Sequence, residues 1–136
     1  MTSAALELQK AIFAALATDA TLEAAMGGVR LFDQAPANAN FPYLTIGRTS
    51  VYDWSTDTES GTEQLVTLHA WSKARGKAEC FEVLELVRAR LDDASLELAG
   101  HSLVNFKAEY SDVRYEDDND VHHGLIRFRA VTDPSS

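Results

Sequence analysis

The sequence predicts an α+β domain in which two main helices cover one face of an antiparallel sheet of about four main strands. Apolar residues recur at helical spacing in two long segments, 3–17 and 76–94. Four other segments alternate apolar and polar side chains, which is typical of strands with one buried face. These segments are 43–51, 64–71, 103–110 and 124–131. The order helix, strand, strand, helix, strand, strand favours helices gathered on one face of such a sheet.

The first part of the chain contains clear helix start and stop signals. Ser3 is a candidate N-cap, because its hydroxyl can accept a hydrogen bond from an unpaired amide of the first turn. A shorter helix is expected over 20–26, and Gly27 ends it because glycine tolerates left-handed geometry. A short strand is expected over 29–32.

The helix expected over 76–94 has the most regular pattern in the chain. Its apolar stripe includes Cys80 and Leu84, so the thiol is interpreted as a core residue rather than a nucleophile. Asp92 and Asp93 lie at the C-terminal end, where negative charge opposes the helix dipole. Their position therefore indicates a functional or solubility role.

The last third is predicted to contain two paired strands. The residues expected on the inward face of the first are Val104, Phe106, Ala108 and Tyr110. The outward faces of the two strands combine bases and one acid, so cross-strand ion pairs are expected. These outward residues are Lys107, Glu109, Arg127 and Arg129. Segment 111–123, between the strands, is interpreted as a long polar excursion.

The composition excludes several classes of protein. The 136 residues, 46% hydrophobic and 24% charged, predict one folded domain over 1–133 with a frayed tail at 134–136. No apolar run approaches a membrane span, and the N-terminus lacks a signal-peptide pattern. The net charge of −9, from 21 acids and 12 bases, argues against a dedicated DNA-binding surface. One cysteine cannot form an intrachain disulfide, which favours the cytoplasm.

The most informative segment is the acidic loop expected between the first two strands. Between residues 53 and 63 it contains four acids, no base and one tryptophan. Two interpretations remain open: the loop lines a channel or contacts a neighbouring subunit, or it is an ordinary solvated hairpin loop. The candidate surface residues are Asp53, Trp54, Asp57, Glu59 and Glu63.

A second acidic segment is a candidate docking tip. Its acids are Asp112, Glu116, Asp117, Asp118 and Asp120. A calcium-binding EF-hand loop needs a glycine at its sixth position and a distal glutamate, and counting from Asp118 or Asp120 supplies neither. No metal site is therefore expected, and the tip either docks on a partner or stays solvated.

No catalytic or cofactor-binding residues are predicted. The chain has no nucleophile elbow, phosphate loop or dinucleotide fingerprint. His122 and His123 are adjacent, so on a regular strand their rings point to opposite faces and cannot readily bind one ion. His69 and His101 have no ligand spacing to either. The chain is not expected to be an enzyme.

The sheet face away from the helices is expected to be only half polar. A face of that kind, or an exposed sheet edge, often pairs with another subunit. The residues predicted to mix there are Tyr43, Thr45, Thr67, His69, Trp71, Leu125 and Val131.

Four segments, taken in their order along the chain, resemble those of a known family. They are SAALELQKAIFAALATDATL, FPYLTIG, DWSTDTESGTEQLVTLHAWSKARGKAE and LAGHSLVNFKAEYSDVRYEDDNDVHHGLIRFRAVT. Together they cover nearly the whole chain. In their joint order the chain resembles the tail-completion, or tail-terminator, proteins of long-tailed bacteriophages, prophages and gene transfer agents, with the gene-transfer-agent branch nearest.

The resemblance implies a structural protein without catalytic residues. Such proteins form a ring, here expected to contain six copies, that stops growth of the tail tube and offers a docking surface to the head. The implied partners are further copies, the tail-tube protein and the head connector, while DNA passes through without specific binding. The protein would be made in the bacterial cytoplasm and built into the particle at the head–tail junction. Another neck or adaptor protein, or a small soluble ligand-binding module, remains an alternative.

Overall fold

The structure, a computed structural model, describes residues 3–55 and 61–134 of the chain. Within these residues the chain forms three α-helices and five β-strands. In chain order they are α1 (Ala4–Ala17), α2 (Ala20–Met26), β1 (Leu31–Phe32), β2 (Tyr43–Asp53), β3 (Thr62–Ser72), α3 (Ala78–Leu91), β4 (His101–Glu116) and β5 (Val121–Pro134). The predicted α+β class is confirmed.

The five strands form one sheet in the order β1-β2-β3-β5-β4. Neighbouring long strands are antiparallel, as predicted. The short strand β1 adds a parallel pair to β2, so the sheet is mixed. Because β1 pairs only with Leu44 and Thr45, most of β2 lies at the margin of the sheet.

The predicted helix boundaries are confirmed at the N-terminal end of the chain. The hydroxyl of Ser3 accepts a hydrogen bond from the amide of Leu6 at 3.1 Å and caps α1. Gly27 ends α2 in the left-handed conformation at φ 77°. Helices α1 and α3 bury their apolar stripes in a common core with the sheet. No helix in the described ranges combines the length and the apolar character needed to cross a membrane.

Close packing of α3 on the sheet depends on a glycine in β5. A Cβ atom on Gly124 would lie 2.7 Å from Sγ of Cys80 and 2.8 Å from Cδ1 of Leu84. Cys80 is fully buried, and burial raises the pKa of its thiol to about 11. The thiol is therefore a core group, as predicted, and stays protonated at neutral pH.

The prediction that Val104 and Tyr110 face inward is wrong. Two β-bulges interrupt β4, one between Leu103 and Asn105 and one between Ala108 and Tyr110. Each bulge inserts one residue and reverses the alternation of side chains that follows. Val104 is consequently 59% exposed and Tyr110 49% exposed, while Phe106 between the bulges is buried.

The interpretation of 111–123 as a polar excursion is also wrong in most of its length. Strand β4 continues to Glu116 and β5 begins at Val121, so only the turn 117–120 separates them. Most side chains of 111–120 are at least partly exposed, so polar residues are tolerated in these parts of the strands. At the other end of β5, Pro134 pairs with His101, while Ser135 and Ser136 lie outside the described residues.

The two aspartates at the end of α3 have a structural task. Asp92 leaves the helical conformation, and its Oδ1 accepts a hydrogen bond from the amide of Ala108 at 2.8 Å. The amide of Asp93 donates to the carbonyl oxygen of Phe106, also at 2.8 Å. These two bonds cover the middle of the outer edge of β4, which explains why acids stand at an unfavourable helix end.

Candidate assembly surfaces

The two acidic hairpin ends lie at opposite ends of the sheet. Thr62, where the first hairpin loop ends, pairs with Thr132 near the end of β5. Ser72, at the far end of the same strand, pairs with His122 beside the second turn. The eleven residues of β3 separate these ends by about 35 Å. The two acidic segments can therefore face two different neighbours.

The β2–β3 hairpin end combines an exposed aromatic ring with charge pairs. The ring of Trp54 is half exposed, and the guanidinium of Arg129 lies 5.1 Å from its centroid. Arg129 also forms an ion pair with Glu63 from the neighbouring strand. Glu63 is therefore a paired, partly buried acid rather than a free surface charge. The hydroxyl and the amide of Ser55 hold the pKa of the Asp53 carboxyl below its usual value.

Two of the sequence-predicted residues of this loop, Asp57 and Glu59, lie outside the described residues. The structure thus places Asp53, Trp54 and Glu63 together at one end of the sheet. The assignment of a channel-facing or intersubunit role to them stays a prediction.

The β4–β5 turn gathers acids of different character. Asp117 and Asp118 stand on the turn itself, while Asp112 lies within β4, some distance before it. Asp120 has a φ of 52° and accepts a hydrogen bond from the hydroxyl of Tyr115. This bond raises the pKa of the Tyr115 hydroxyl. Within the described residues no group of three or more potential ligands is placed to bind a metal ion.

A histidine pair on the uncovered face of the sheet is the main feature that sequence reasoning missed. Nδ1 of His123 lies 2.6 Å from a carboxylate oxygen of Glu116, and its Nε2 lies 2.7 Å from Nδ1 of His69. The indole ring of Trp71 stacks on His123 with centroids 4.0 Å apart. The register between β3 and β5, and between β5 and β4, brings these residues together. The sequence signal for the site was that His69 and Trp71 are two residues apart on one strand, so their side chains lie on the same face.

The hydrogen-bonded series Glu116–His123–His69 is consistent with one arrangement of donors and acceptors. An ionised carboxylate only accepts hydrogen bonds, so Nδ1 of His123 donates to Glu116, and in the neutral ring Nε2 accepts from His69. The bond from His123 lowers the pKa of Glu116. Burial, followed by the nearby His123 and Arg114, lowers the pKa of His69. The expected separation of the two adjacent histidines is confirmed, because His122 contacts the ring of Tyr115 on the other face.

The cross-strand ion pairs predicted on the outward face are only partly confirmed. Arg127 pairs with Glu109 at 2.8 Å, as expected for β4 and β5. Lys107 pairs instead with Asp93 at 3.5 Å, and Arg129 pairs across β3 with Glu63. The face is therefore a network of paired charges interspersed with aromatic rings.

Comparison with known proteins identifies the family. The model of the family described as Tail completion protein gp17 matches residues 10–133. The chain belongs to the tail completion proteins. Its predicted kinship is thereby confirmed, and it is a structural protein of the phage-tail class. No curated protein sequence matches the chain.

Two solved structures resemble this tail completion protein over almost its whole length. One is described as "Virion of native gene transfer agent (GTA) particle": it is 25% identical, with a TM-score of 0.88, and the match covers 98% of this chain and 99% of that one. A second structure has a TM-score of 0.57 at 10% identity, covering 99% of this chain and 98% of the other. At that identity the second likeness shows the fold alone.

Proposed function

We propose that this tail completion protein closes the head-proximal end of a phage-type tail tube as a ring of six copies and joins tail to head around the DNA channel. It works through surfaces rather than catalysis. The observation on which the proposal rests is the near-complete structural match, at a TM-score of 0.88, with a chain from a gene transfer agent virion. That match supports incorporation of this chain into a similar particle. We further propose that the protein is made in the bacterial cytoplasm before it is incorporated.

The placement of the acidic segments supports a component with two docking rims. One end of the sheet presents Asp53 and Trp54, and the opposite end presents the turn 117–120. In the proposed ring one rim meets the last ring of the tail-tube protein and the other meets the head connector. A cyclic ring closes on itself, so its assembly ends after one layer instead of continuing as a tube.

The charge of the chain supports passage of DNA without specific binding. Six copies of a chain with a net charge of −9 form a strongly negative ring. Repulsion between such a ring and DNA phosphates acts within a Debye length of about 8 Å at physiological salt. DNA close to the wall is therefore kept from adhering to it.

The experiment is electron cryomicroscopy of particles assembled with this chain, together with native mass spectrometry of the purified protein. We expect density for six copies encircling the passage between capsid and tail tube. In solution we expect hexamers, or monomers that form rings when purified tail tubes are added. A discrete dimer with a bound metabolite, or density for the chain elsewhere in the particle, would overturn the proposal.

A further inference from the structure

The sheet has two long margins, and the residues that the structure describes cover only part of each. On the β2 side, β1 pairs with Leu44 and Thr45, whereas the outer side of Thr49–Asp53 has no neighbouring strand in the described part of the chain. On the β4 side, the turn after α3 covers the backbone at Phe106 and Ala108. Beyond that point, within the described residues, β4 pairs with β5 alone up to Glu116.

The backbone groups of both open halves point away from the sheet. In antiparallel strands, successive residues direct their N–H and C=O groups alternately to one side and the other. The amide of Ala108 points away from β5. Counting from Ala108 and allowing for the bulge that follows it, the residues of β4 whose backbone N–H and C=O groups point away from β5 are Ser111, Val113 and Tyr115. The same count along β2, from Leu44 through its own bulge, gives Thr49, Val51 and Asp53.

Exposed apolar side chains concentrate on the same two strands. Of the nine large hydrophobic residues that are exposed in the described ranges, five lie on β2 or β4. Four of them stand in the open halves, each about half exposed: Val51, Tyr52, Tyr110 and Tyr115. A long edge with unpaired backbone and exposed apolar side chains is a template for another strand.

We propose that in the proposed ring the open edge of β4, Tyr110–Glu116, pairs antiparallel with the open edge of β2, Thr49–Asp53, of the next copy. This inference rests on the proposed function, because it names the contact by which copies join. The two edges differ from one another, so the contact is heterologous, and repetition leads to a ring rather than to a two-fold dimer. The sheet then continues from copy to copy.

The positions of the open halves match what ring closure requires. Heights along the strands can be compared on β5. Val51 pairs with Gln64 of β3, which pairs with Ala130 of β5, whereas Val113 pairs directly with Gly124 of β5. These levels are six residues apart, so pairing the open halves shifts successive copies by about 20 Å along the strands. Four long strands per copy are about 19 Å wide. The shift therefore tilts the strands by about 45°, close to the tilt of about 35–45° found in closed barrels.

The first test blocks the edge without disturbing the fold. Ser111 is exposed, and its amide points away from β5. Ser111→Pro removes that donor and keeps the β4–β5 ladder, while the matched control Ser111→Ala removes only the hydroxyl. With purified tail tubes, we expect Ser111→Ala to form rings at the wild-type yield. The yield of rings from Ser111→Pro should fall by at least about tenfold. Rings at the wild-type yield from a folded Ser111→Pro would overturn the inference.

The second test does not depend on tolerance of proline. Val51→Cys is combined in one chain with Ser111→Cys, Val113→Cys or Tyr115→Cys, since paired strands bring opposite residues within disulfide reach. Oxidised particles should give a ladder of covalent oligomers in at least one combination. The single variants should give none, and neither should Val113→Cys combined with Phe81→Cys, whose position is exposed on α3.

The outcomes separate this inference from the proposed function. Normal rings at the neck without a ladder in any combination overturn the edge pairing and leave the ring intact. A covalent product between Val113→Cys and a tail-tube or connector protein also overturns it, because the edge then belongs to another partner. The absence of any ring from the wild-type chain overturns both.

Discussion

At the scale of single residues, the hydrogen-bonded chain Glu116–His123–His69 links the second acidic turn to the middle of the sheet. Its geometry depends on Gly47, because a Cβ at that position would collide with the His69 ring. Tight placement of two imidazole rings beside a carboxylate makes the stability of this region depend on pH. The direction of that dependence follows from the pKa shifts.

The first prediction is that unfolding temperature falls as pH drops from 8 to 5, in part through His69. Its folded-state pKa is below the usual value of about 6.5, so the unfolded chain binds the proton more readily. The stability from neutral His69 is therefore present above about pH 6.5 and lost as pH falls towards the lowered pKa. The groups that face His69 are His123, Arg114 and Glu116, of which only Glu116 opposes the shift.

The measurement is the midpoint of thermal unfolding at half-unit pH steps. His69→Gln keeps a polar side chain but cannot titrate, so its midpoint should change less between pH 7 and 5 than that of the wild type. Glu116 contributes separately: its lowered pKa gives stability above about pH 4.3 that is lost only in more acidic solution. An identical slope for wild type and His69→Gln would contradict the prediction.

At the scale of elements, α3 can pack closely on β5 because Gly124 has no side chain. Gly124→Ala should destabilise the protein by about 1–3 kcal/mol, because the new methyl group forces Cys80 and Leu84 away from the sheet. Urea unfolding measures the change. The matched control is Gly76→Ala. The new methyl group there meets no neighbouring atom, so its only cost is the strain of an alanine at a φ of 75°. A smaller cost at Gly124 than at Gly76 would contradict this packing argument.

The turn after α3 gives a second prediction at the same scale. Asp92→Ala leaves the amide of Ala108 without its acceptor, which should cost about 1 kcal/mol in the free energy of unfolding. It also uncovers the middle of the β4 edge, so the variant should aggregate more readily on heating. Asp92→Asn retains a carbonyl oxygen and serves as the control. Equal unfolding energies for the two variants would show that the hydrogen bond contributes nothing.

Element-scale prediction from the sequence succeeded where a period was uninterrupted. The stripe of α3 and the alternation of β5 gave the correct faces, because each residue there occupies one regular step. The faces of Val104 and Tyr110 were wrong because one inserted residue reverses the alternation, and insertion leaves no mark in the sequence. The same limitation applies to Asp92, whose partner Ala108 is sixteen residues away.

At the scale of the whole molecule, the acidic loop and the ring make a joint prediction. Asp53→Asn, Asp57→Asn and Glu59→Gln together remove negative charge without touching the Glu63–Arg129 ion pair. If the loop lines the channel, particles with this triple variant should transfer DNA less efficiently, while native mass spectrometry shows unchanged rings. DNA transfer at the wild-type level would contradict a channel-facing role for the loop.

Glu63 requires a separate variant because its role is structural as well as electrostatic. Glu63→Gln breaks the ion pair with Arg129, whose guanidinium also lies over Trp54. We expect a lower unfolding temperature in this variant, in contrast to the loop triple variant. A loss of DNA transfer in Glu63→Gln alone therefore indicates a destabilised hairpin rather than a neutralised channel wall.

The sequence by itself determined the fold class, the helix ends at Ser3 and Gly27, the core position of Cys80 and the kinship with tail completion proteins. These follow from local periodicity, capping chemistry and the order of segments, all of which are properties of neighbouring residues. Only the tertiary structure showed that His69 and His123 are in contact and that Asp92 binds the amide of Ala108. It also showed which part of each sheet margin has no neighbouring strand among the described residues. Those features arise from strand register and bulges, where residues far apart in the chain meet.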